Sequence, residues 1–424
     1  MLSVRKILVA FLLIVATSAC ARAAQPTDGA HYRYLLLNLS APETDSDTML
    51  EIKRLGNATS PGAARIGIGV ILSYFRQPPD KTAAQLRRVL DLCEEHEVPV
   101  MIQLDGEQWW TARPDLWNWW DKDRPGYDPA NAANVEWSGW GPEHALKIAW
   151  RNWGKQLRVQ PPPNLMSPRY RAACHAAMEP LVRDIVRWRS QLPESKRWLL
   201  VGVKVGWESA IGMGSYYYPS GNELLDKDPQ DDPDEKVRPK QLPGRGRQPI
   251  GYAAVSTAGL GEAGELNEAQ LAEVIRRHLD DLSAVARKGG LPREQIFTHS
   301  GGWAEGEKLY DSAINEHSCP GWSFYRYGRD PLGDKTAMAA IARSTAPFWG
   351  VVEWLPIGAR TSDDWQSALR NTLAADRCRY VCAYNWRKLK TDPVALEGIR
   401  RFLAADLAID SRPLPVADAK GSKR

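Results

Sequence analysis

The sequence predicts an α/β fold, a (β/α)8 TIM barrel with long βα loops after its third and fourth strands. Eight short apolar runs, rich in β-branched residues, alternate with amphipathic helical stretches almost to the end of the chain. A chain of 424 residues with 43% hydrophobic composition also has enough apolar side chains for one large core. An open doubly wound sheet is the alternative, but no GxGxxG motif follows the first apolar run.

Each predicted strand is a short run bounded by turn residues. In chain order the predicted strands are Tyr34 to Leu39, Ile66 to Leu72, Val98 to Leu104, Trp198 to Val205, Gln295 to Thr298, Gly321 to Phe324, Phe348 to Val352 and Arg379 to Ala383. The predicted helices are Thr82 to His96, Pro168 to Gln191, Asn267 to Lys288, Lys335 to Ser344, Asp363 to Ala375 and Pro393 to Ala404. The repeated order of strand and helix predicts that all eight strands are parallel.

Two long segments interrupt this order, at 105–167 after the third strand and at 207–265 after the fourth. Loops of this length are uncommon unless they are functional. All βα loops of a barrel rise from its carboxyl face, where active sites lie. We therefore expect both segments to wall the same cleft.

The barrel domain is predicted to span residues 30–408, with the two ends of the chain outside it. Residues 1–24 have the pattern of a secretory signal peptide, because Arg5 and Lys6 precede an apolar run. That run is far shorter than the roughly 20 residues that a membrane-spanning helix needs. Residues 409–424 are predicted to be a disordered tail. These features predict a secreted or periplasmic protein without a membrane span.

The charge of the chain gives little support to a nucleic-acid partner. The formal net charge is +4, and Arg5, Lys6 and Arg22 of the predicted signal peptide contribute three of these charges. Removal of residues 1–24 therefore leaves a formal charge of +1. Nucleic-acid binding depends mainly on a strong positive charge, so we do not expect it here.

The six cysteines predict neither a metal site nor a defined set of disulfides. Cys20 lies in the predicted signal peptide and is a candidate lipid-anchor site, although the preceding Thr-Ser-Ala matches a lipoprotein cleavage motif poorly. At most two disulfides can form among the others, which are Cys93, Cys174, Cys319, Cys378 and Cys382. Pairing of Cys319 with Cys378 or Cys382 stays open, and buried thiols are the simpler interpretation. No CxxC, HExxH or HxH motif occurs, so we expect no metal and no other cofactor.

Tryptophan is the unusual feature of the composition, with 18 residues in the chain. Half of them lie in the first long segment, namely Trp109, Trp110, Trp117, Trp119, Trp120, Trp137, Trp140, Trp150 and Trp153. Tryptophan suits both protein cores and the flat apolar faces of sugar rings. The cluster favours a carbohydrate-binding cleft, and structural packing is the alternative.

Polar and aromatic residues follow nearly every predicted strand, where the side chains of a barrel converge on one pocket. Glu208 and Glu353 directly follow the fourth and seventh strands, in the segments VGVKVGWESAIG and FWGVVEWLP. The other residues expected to contact a substrate are Asn38, Tyr74, Asp105, Glu107, Trp109, Trp207, His299, Trp303, Tyr325, Trp354, Asn385 and Trp386.

Glutamates at these two strand ends resemble the signature of clan A of the glycoside hydrolases, a large group of (β/α)8 enzymes. The resemblance covers the barrel from about residue 34 to residue 403, and only the two glutamates and their neighbours are specific. It implies that Glu208 is the general acid/base and Glu353 the nucleophile of a retaining glycosidase. It also implies that Tyr325 hydrogen-bonds the nucleophile and that Trp386 forms an aromatic platform under the sugar.

The chain departs from the clan pattern at Trp207. Clan members usually have asparagine immediately before the acid/base, where it donates a hydrogen bond to the sugar 2-hydroxyl. The resemblance therefore implies no particular sugar. Glycosidic cleavage passes through an oxocarbenium-like state that needs one carboxylic acid and one carboxylate on opposite faces of the sugar. The expected partner is an oligosaccharide or a polysaccharide.

Several of the candidate residues have an equally simple structural interpretation. Asp105 and Glu107 either bind sugar hydroxyls or begin a polar loop. His299 and Asn385 are either substrate contacts or internally hydrogen-bonded residues. The alternative function is a non-catalytic glycan-binding barrel, and a metal-dependent hydrolase ranks third because histidines at the strand ends are too few.

Overall fold

The computed structural model confirms the predicted (β/α)8 TIM barrel. It describes residues 32–56, 64–107, 109–147, 149–152, 156–208, 211, 215–217, 248–301 and 306–405. The predicted signal peptide with Cys20, the predicted tail and Trp303 lie outside the described residues. The eight barrel strands are β1 (Tyr34–Ser40), β2 (Arg65–Ser73), β3 (Val100–Asp105), β4 (Leu200–Val205), β5 (Ile296–Thr298), β6 (Gly321–Phe324), β7 (Trp349–Trp354) and β8 (Cys378–Ala383).

Each barrel strand pairs in parallel with its neighbour in the sequence, and β8 pairs with β1. The ring closes between β5 and β6 through isolated parallel bridges, from Phe297 to Cys319 and from Ser300 to Trp322. The amide of Thr298 also donates to the carbonyl of Cys319 at 3.1 Å. All strand ends therefore face the same rim of the barrel.

Seven helices cover the strands. They are α1 (Ser46–Lys53), α2 (Pro79–His96), α3 (Pro168–Gln191), α4 (Glu268–Lys288), α5 (Lys335–Arg343), α6 (Ser362–Leu373) and α7 (Pro393–Ala404). The sequence analysis missed α1, a helix of eight residues whose N-terminus is capped by Asp45, which accepts from the amide of Thr48. Between β5 and β6 a 3-10 helix at Gly306–Ala313 stands in place of an α-helix.

The seventh strand is longer than predicted. The sequence analysis ended it at Val352, whereas β7 continues through Glu353 and Trp354. The pairing of β7 with β6 shifts register, and this shift sets Glu353 directly beside Ser323. Glu353 is therefore held by the sheet itself and not by the loop that follows it.

The inside of the barrel is a small core of its own. Its buried members include Tyr34, Leu36, Met101, Val201, Phe297, Cys319, Tyr380 and Cys382. Gly69 of β2 lets these side chains approach, because a Cβ atom there would lie 2.6 Å from the sulfur of Cys382. A larger core lies between the strands and the helices.

The two long segments contain a second sheet that the sequence analysis did not predict. Its four short antiparallel strands lie at Ala149–Asn152, Gln156–Val159, Ser215–Tyr217 and Gln248–Pro249. Strands from the segment after β3 thus pair with strands from the segment after β4. The two segments meet, as expected for loops that rise from one face of a barrel.

The five cysteines downstream of Cys20 are all buried free thiols. The disulfide between Cys319 and Cys378 or Cys382 that the sequence left open is therefore not formed. Burial raises the pKa of the Cys319 thiol to about 12, which keeps it protonated and unreactive. In the described part of the chain, no helix combines the length and apolar character needed to cross a membrane.

Candidate active site

The chain turns sharply where it leaves β4, and this turn presents Glu208. Gly206 has φ of 77° and Glu208 has φ of 45°, so both adopt the left-handed region. A residue other than glycine is uncommon there, and such residues cluster at functional sites. The side chain of Glu208 is only 6% exposed. The backbone therefore holds a buried carboxyl group at the carboxyl end of the barrel.

Glu353 of β7 faces Glu208 across the barrel mouth. One oxygen of Glu208, one oxygen of Glu353 and one ring nitrogen of His299 all lie within 4.8 Å of one another. Glu353 is 4% exposed. The hydroxyl of Tyr325 donates to Oε2 of Glu353 at 2.5 Å. The structure thus brings together four of the residues that the sequence predicted for the site.

A buried lysine lies beneath this pair of carboxyl groups. Lys204 of β4 is fully buried, and its Nζ is 3.0 Å from Nδ1 of His299. The same ammonium lies 3.7 Å from the centre of the Trp207 ring, which is a cation–π contact. A buried ammonium is costly unless anions compensate it. Glu353 and Asp105 lie close enough to do so, since their charges raise the pKa of Lys204.

Burial sets the ionisation of these groups. It lowers the pKa of Lys204 to about 8, so the ammonium stays charged at neutral pH. Burial and the charge of Lys204 hold the pKa of His299 well below its ordinary value, so the imidazole is neutral. Burial raises the pKa of Glu353, while the Lys204 charge and the Tyr325 hydroxyl act in the opposite direction. The charge of Lys204 therefore favours the ionised form of Glu353.

The spacing of Glu208, His299 and Glu353 also matches that of a metal site, but the donor atoms do not suit one. Nδ1 of His299 faces the ammonium of Lys204, and Nε2 lies 2.8 Å from the hydroxyl of Ser323. Both ring nitrogens are thus engaged, whereas a metal needs a free lone pair on one of them. A buried ammonium beside the same atoms also repels a cation.

Trp207 directly precedes Glu208, and its surroundings are structural. Its amide donates to Oε1 of Glu107 at 3.1 Å, and its ring meets that of His299 edge-on at 5.8 Å. Oε1 of Glu107 lies 3.1 Å from Nε2 of His278 on α4. Glu107 therefore connects the turn after β4 to α4, which favours the structural interpretation of this residue over a sugar contact.

The remaining polar candidates differ in where they point. Asp105 accepts from the hydroxyl of Ser73 at 2.9 Å and from the amide of Glu107 at 3.0 Å. Its charge also reaches Lys204, so it belongs to the lower part of the site. Asn38 is 2% exposed and continues the inward alternation of β1. Tyr74 is buried below Gly106, away from the carboxyl pair.

Among the aromatic candidates, Trp386 and Trp354 are clearly different. Trp386 is 4% exposed, and its Nε1 has no hydrogen-bond partner in the part of the chain that the structure describes. Trp354 is fully buried, donates from Nε1 to the carbonyl of Gly328 at 2.7 Å and packs edge-on against Trp365 of α6. It faces the helices, on the opposite side of β7 from Glu353. The expectation that Trp354 contacts a substrate therefore does not fit its position.

Two other predicted contacts lie at the edge of the site. Asn385 is partly buried and caps a short helix at Trp386–Leu389, where its side chain accepts from the amide of Lys388. Trp109 is also partly buried, and the guanidinium of Arg76 lies 5.7 Å from its ring centre.

The tryptophan cluster of the first long segment is mainly a packing feature. The buried indoles of Trp110, Trp117 and Trp137 each donate to a backbone carbonyl. Trp119 and Trp140 are only half-buried, yet they make the same kind of bond. These bonds favour structural packing, because the five indole nitrogens stabilise the two long segments. The carbohydrate-binding cleft stays a prediction.

Three residues of the site escaped the sequence analysis. Lys204 is the only charged residue of β4, and a lone charge in a buried strand was a usable signal. Ser323 lies 3.5 Å from Oε1 of Glu208, and serine in an apolar run gives no such signal. Tyr384 follows β8, and burial together with the charge of Glu353 raises its pKa. It directly precedes the predicted Asn385 and was overlooked there.

Comparison with known proteins gives likeness in overall shape only. No protein-family model matches the chain, and no curated protein sequence matches it. A beta-galactosidase from the psychrophilic Marinomonas ef1 aligns at 9% identity and a TM-score of 0.46, over 88% of this chain and 59% of its own. A GH5-4 broad specificity endoglucanase from an uncultured bacterium aligns at 10% identity and a TM-score of 0.43, over 89% and 95%.

The catalytic domain of a beta-amylase from Paenibacillus polymyxa aligns at 9% identity and a TM-score of 0.49, over 88% of this chain and 98% of that domain. This chain thus spans less than two thirds of the beta-galactosidase and nearly all of the other two. With TM-scores below 0.5, these similarities carry no argument about activity or substrate.

Proposed function

We propose that this protein is a glycoside hydrolase that cleaves O-glycosidic bonds with retention of configuration, using Glu208 as acid/base and Glu353 as nucleophile. One observation carries the proposal: two buried carboxyl groups at the ends of β4 and β7 have oxygens within 4.8 Å of each other. Retaining glycosidases hold their two carboxyl groups about 5 to 5.5 Å apart, whereas inverting ones need about 6.5 to 9.5 Å. A gap this small leaves no room for a water molecule between a base and the sugar.

The proposed reaction has two steps. In the first, a Glu353 oxygen bonds to the anomeric carbon while the glycosidic bond breaks, and the leaving oxygen takes the proton of Glu208. In the second, the Glu208 carboxylate takes a proton from water, the water oxygen bonds to the anomeric carbon, and the ester bond to Glu353 breaks. Glu208 regains its proton and Glu353 its charge, so the site is restored.

The surroundings of Glu353 suit a nucleophile. The ammonium of Lys204 and the hydroxyl of Tyr325 both favour its ionised form, against the effect of burial on its pKa. These two contacts are preorganised, because both partners are held by barrel strands or their immediate ends. Burial and the charge of Glu353 raise the pKa of Tyr384, which directly follows β8.

The proposed substrate is an oligosaccharide or a polysaccharide. Trp386 is the proposed platform under the sugar, because it begins the short helix that follows β8 and its indole nitrogen has no partner among the described residues. No donor to a sugar 2-hydroxyl is proposed at Trp207, whose amide already bonds to Glu107. The non-catalytic glycan-binding alternative loses support, since the indole nitrogens of five tryptophans that suggested it bond to backbone carbonyls of the two long segments.

We also propose that the protein is exported, on the pattern of residues 1–24. Mass spectrometry of the chain purified from its host would test this. A mass that corresponds to a chain starting near residue 25 supports secretion. An acyl group on Cys20 supports a lipid anchor, and a chain that still starts at Met1 contradicts both proposals.

The activity is tested with a panel of aryl glycosides and oligosaccharides, using the wild type, Glu208→Gln and Glu353→Gln. We expect both variants to lose activity by at least roughly 100-fold while they still bind the substrate. Glu136→Gln is the matched control, because Glu136 is an equally buried carboxyl group in the long segment after β3 and should keep its activity. Binding to all proteins without cleavage by any would favour the glycan-binding alternative.

The stereochemistry is tested separately by following the first sugar released with proton NMR. We expect the anomer with the configuration of the substrate to form first. Release of the opposite anomer would contradict retention and the role of Glu353 as a nucleophile, even if both carboxyl groups are essential. Rescue of Glu353→Ala by azide, with a glycosyl azide of inverted configuration as the product, would identify the nucleophile independently.

A further inference from the structure

Lys204, His299 and Ser323 form a hydrogen-bonded chain that ends at Glu208. Nζ of Lys204 is 3.0 Å from Nδ1 of His299, Nε2 of His299 is 2.8 Å from Oγ of Ser323, and that Oγ is 3.5 Å from Oε1 of Glu208. All four side chains are at most 6% exposed. Neighbouring protein groups, rather than bulk water, therefore decide where their hydrogens point.

The hydrogen bonds of this series all run in one direction, from Lys204 toward Glu208. An ammonium only donates, so Nδ1 of His299 accepts from Lys204 and the ring proton lies on Nε2. That N–H donates to Oγ of Ser323, so the hydroxyl hydrogen of Ser323 points away from the ring. Oε1 of Glu208 is the acceptor it then faces. The neutral state of His299 agrees with this, since burial and the Lys204 charge hold its pKa well below the ordinary value.

We propose that Lys204, His299 and Ser323 are positioning residues that fix Oε1 of Glu208 as a hydrogen-bond acceptor, so that its acidic proton lies on Oε2. This inference rests on the proposed function and deepens it, because it names the oxygen that serves as the acid. In the first step the Oε2–H bond breaks and its proton passes to the leaving oxygen. Oε1 keeps its bond from Ser323 throughout, and the electron pair left behind is shared by the carboxylate.

The ammonium of Lys204 also interacts electrostatically with Glu353 and with Glu208. Glu208 is in addition linked to Lys204 through the neutral histidine and the Ser323 hydroxyl. The titratable and charged groups that face Lys204 are Asp105 of β3, Glu208 after β4, His299 after β5, Glu353 of β7 and Cys382 of β8. The proposed reaction requires Glu353 to be ionised and Glu208 to be protonated when the substrate binds.

The first test needs no substrate. Nitrogen NMR of histidine-labelled protein, with the signal of His299 assigned by its loss in His299→Gln, reports which ring nitrogen carries the proton. We expect the Nε2–H tautomer in the wild type, with no protonation between about pH 5 and pH 8. In Lys204→Met we expect the pKa of His299 to rise toward that range, because the neighbouring charge is gone. An Nδ1–H tautomer in the wild type would overturn the proposal.

The second test asks whether Ser323 acts on the acid step. Departure of a poor leaving group needs a proton, whereas an activated aryl leaving group departs without one. Ser323→Ala should therefore lower kcat/KM roughly ten-fold for glycosides with poor leaving groups, and less than about three-fold for dinitrophenyl glycosides. Ser323→Thr keeps the hydroxyl and should restore the rate. Ser283→Ala is the matched control, because Ser283 is a buried serine whose hydroxyl donates to Leu279 within α4.

The two tests separate this inference from the proposed function. Equal losses on both kinds of substrate in Ser323→Ala would overturn the placement of the proton while leaving glycoside hydrolysis intact. The expected tautomer in a wild type that cleaves no glycoside would support the hydrogen-bonded chain and overturn the proposed function. Because Lys204 is fully buried, Lys204→Met is interpreted only from protein that unfolds cooperatively, and Ser323→Ala tests the proposal without it.

Discussion

The hydroxyl oxygen of Tyr325 lies 2.5 Å from Oε2 of Glu353, at the carboxyl ends of two adjacent strands of the barrel. Burial raises the pKa of Tyr325 well above its ordinary value, so the phenol remains a donor at any pH at which the protein works. A hydroxyl donor stabilises an ionised carboxylate more than a neutral carboxylic acid. Tyr325 therefore favours the ionised form of Glu353.

Tyr325→Phe should therefore raise the pKa of Glu353 and weaken the nucleophile. A hydrogen bond to a charged group contributes about 1.5 to 3 kcal/mol, which corresponds to a loss of roughly 10- to 100-fold in kcat/KM. The acidic limb of the pH profile should move to higher pH, because Glu353 must lose its proton to attack. Steady-state kinetics from pH 4 to pH 9 measure both effects.

Tyr310→Phe is the matched control for this prediction. The Tyr310 hydroxyl also donates to a buried carboxylate, Asp334 at 3.0 Å, but that carboxylate caps α5 and not the active site. This variant should lose stability and keep the wild-type pH profile. If the pH profile shifted in both variants, the effect would come from a general loss of stability of the barrel and not from the hydrogen bond between Tyr325 and Glu353.

The fold and the two glutamates were predictable because their causes lie in local sequence. Strands buried on both faces need apolar, β-branched runs, and these runs stand out between turn residues. A barrel sends every strand end to one rim, so Glu208 and Glu353 could be related without any knowledge of their distance. The contact between Tyr325 and Glu353 was expected only from the resemblance to clan A, on the place of Tyr325 after β6.

The parts that were not predictable depend on pairing between distant segments. The small antiparallel sheet joins short strands from both long segments, and such short strands carry little propensity of their own. Ser323 gains its role from a register shift against Glu353 on the next strand, which no local pattern reports. The same limit explains why Trp354 was predicted to contact a substrate. The predicted strand ended at Val352, whereas β7 continues to Trp354, which therefore lies within the strand and faces α6.

Glu107 should contribute to stability rather than to sugar binding. Glu107→Ala removes the acceptor for the amide of Trp207 and the partner of His278, both in buried surroundings. Leaving buried polar groups unpaired costs about 1 to 3 kcal/mol each, so urea unfolding should show a clear loss. Glu107→Gln keeps Oε1 as an acceptor and should lose less. A large rise in KM with unchanged stability would instead make Glu107 a substrate contact.

Trp386 and Trp354 should respond oppositely to substitution. Trp386→Leu removes the proposed platform and should raise KM about five-fold, equivalent to about 1 kcal/mol of aromatic contact. Trp354→Phe keeps an aromatic ring against Trp365 but leaves the carbonyl of Gly328 without its donor, so it should lower the free energy of unfolding by about 1 to 3 kcal/mol at nearly unchanged KM. The reverse pattern would return Trp354 to the substrate site.

Because of Glu136, the free energy of unfolding of the protein should fall as the pH rises. It is fully buried in the segment after β3, and Oε1 accepts from the amide of Ala254 at 3.3 Å. Burial raises its pKa to about 8, against several backbone donors that act in the opposite direction. Below the ordinary glutamate pKa the carboxyl is neutral in both folded and unfolded chains. Between that value and about 8, only the unfolded chain gives up its proton, so folding becomes less favourable as the pH rises.

Glu136→Gln should therefore be more stable than the wild type at pH 8 to 9, by a few kcal/mol, and nearly equal to it at about pH 4. The amide oxygen of glutamine can still accept from Ala254, so the substitution removes the titration and keeps the hydrogen bond. Urea unfolding of both proteins across this range measures the difference.

Glu273→Gln provides a control of opposite sign, because Arg276 lowers the pKa of this surface carboxylate to about 2, so that its loss costs stability at neutral pH. Since the Glu273 side chain is still 30% exposed, solvent screens this ion pair and the cost should be small. If Glu136→Gln were more stable than the wild type by the same amount at every pH, the pKa of Glu136 would not differ between the folded and unfolded chains. Groups other than its own proton would then compensate for its burial.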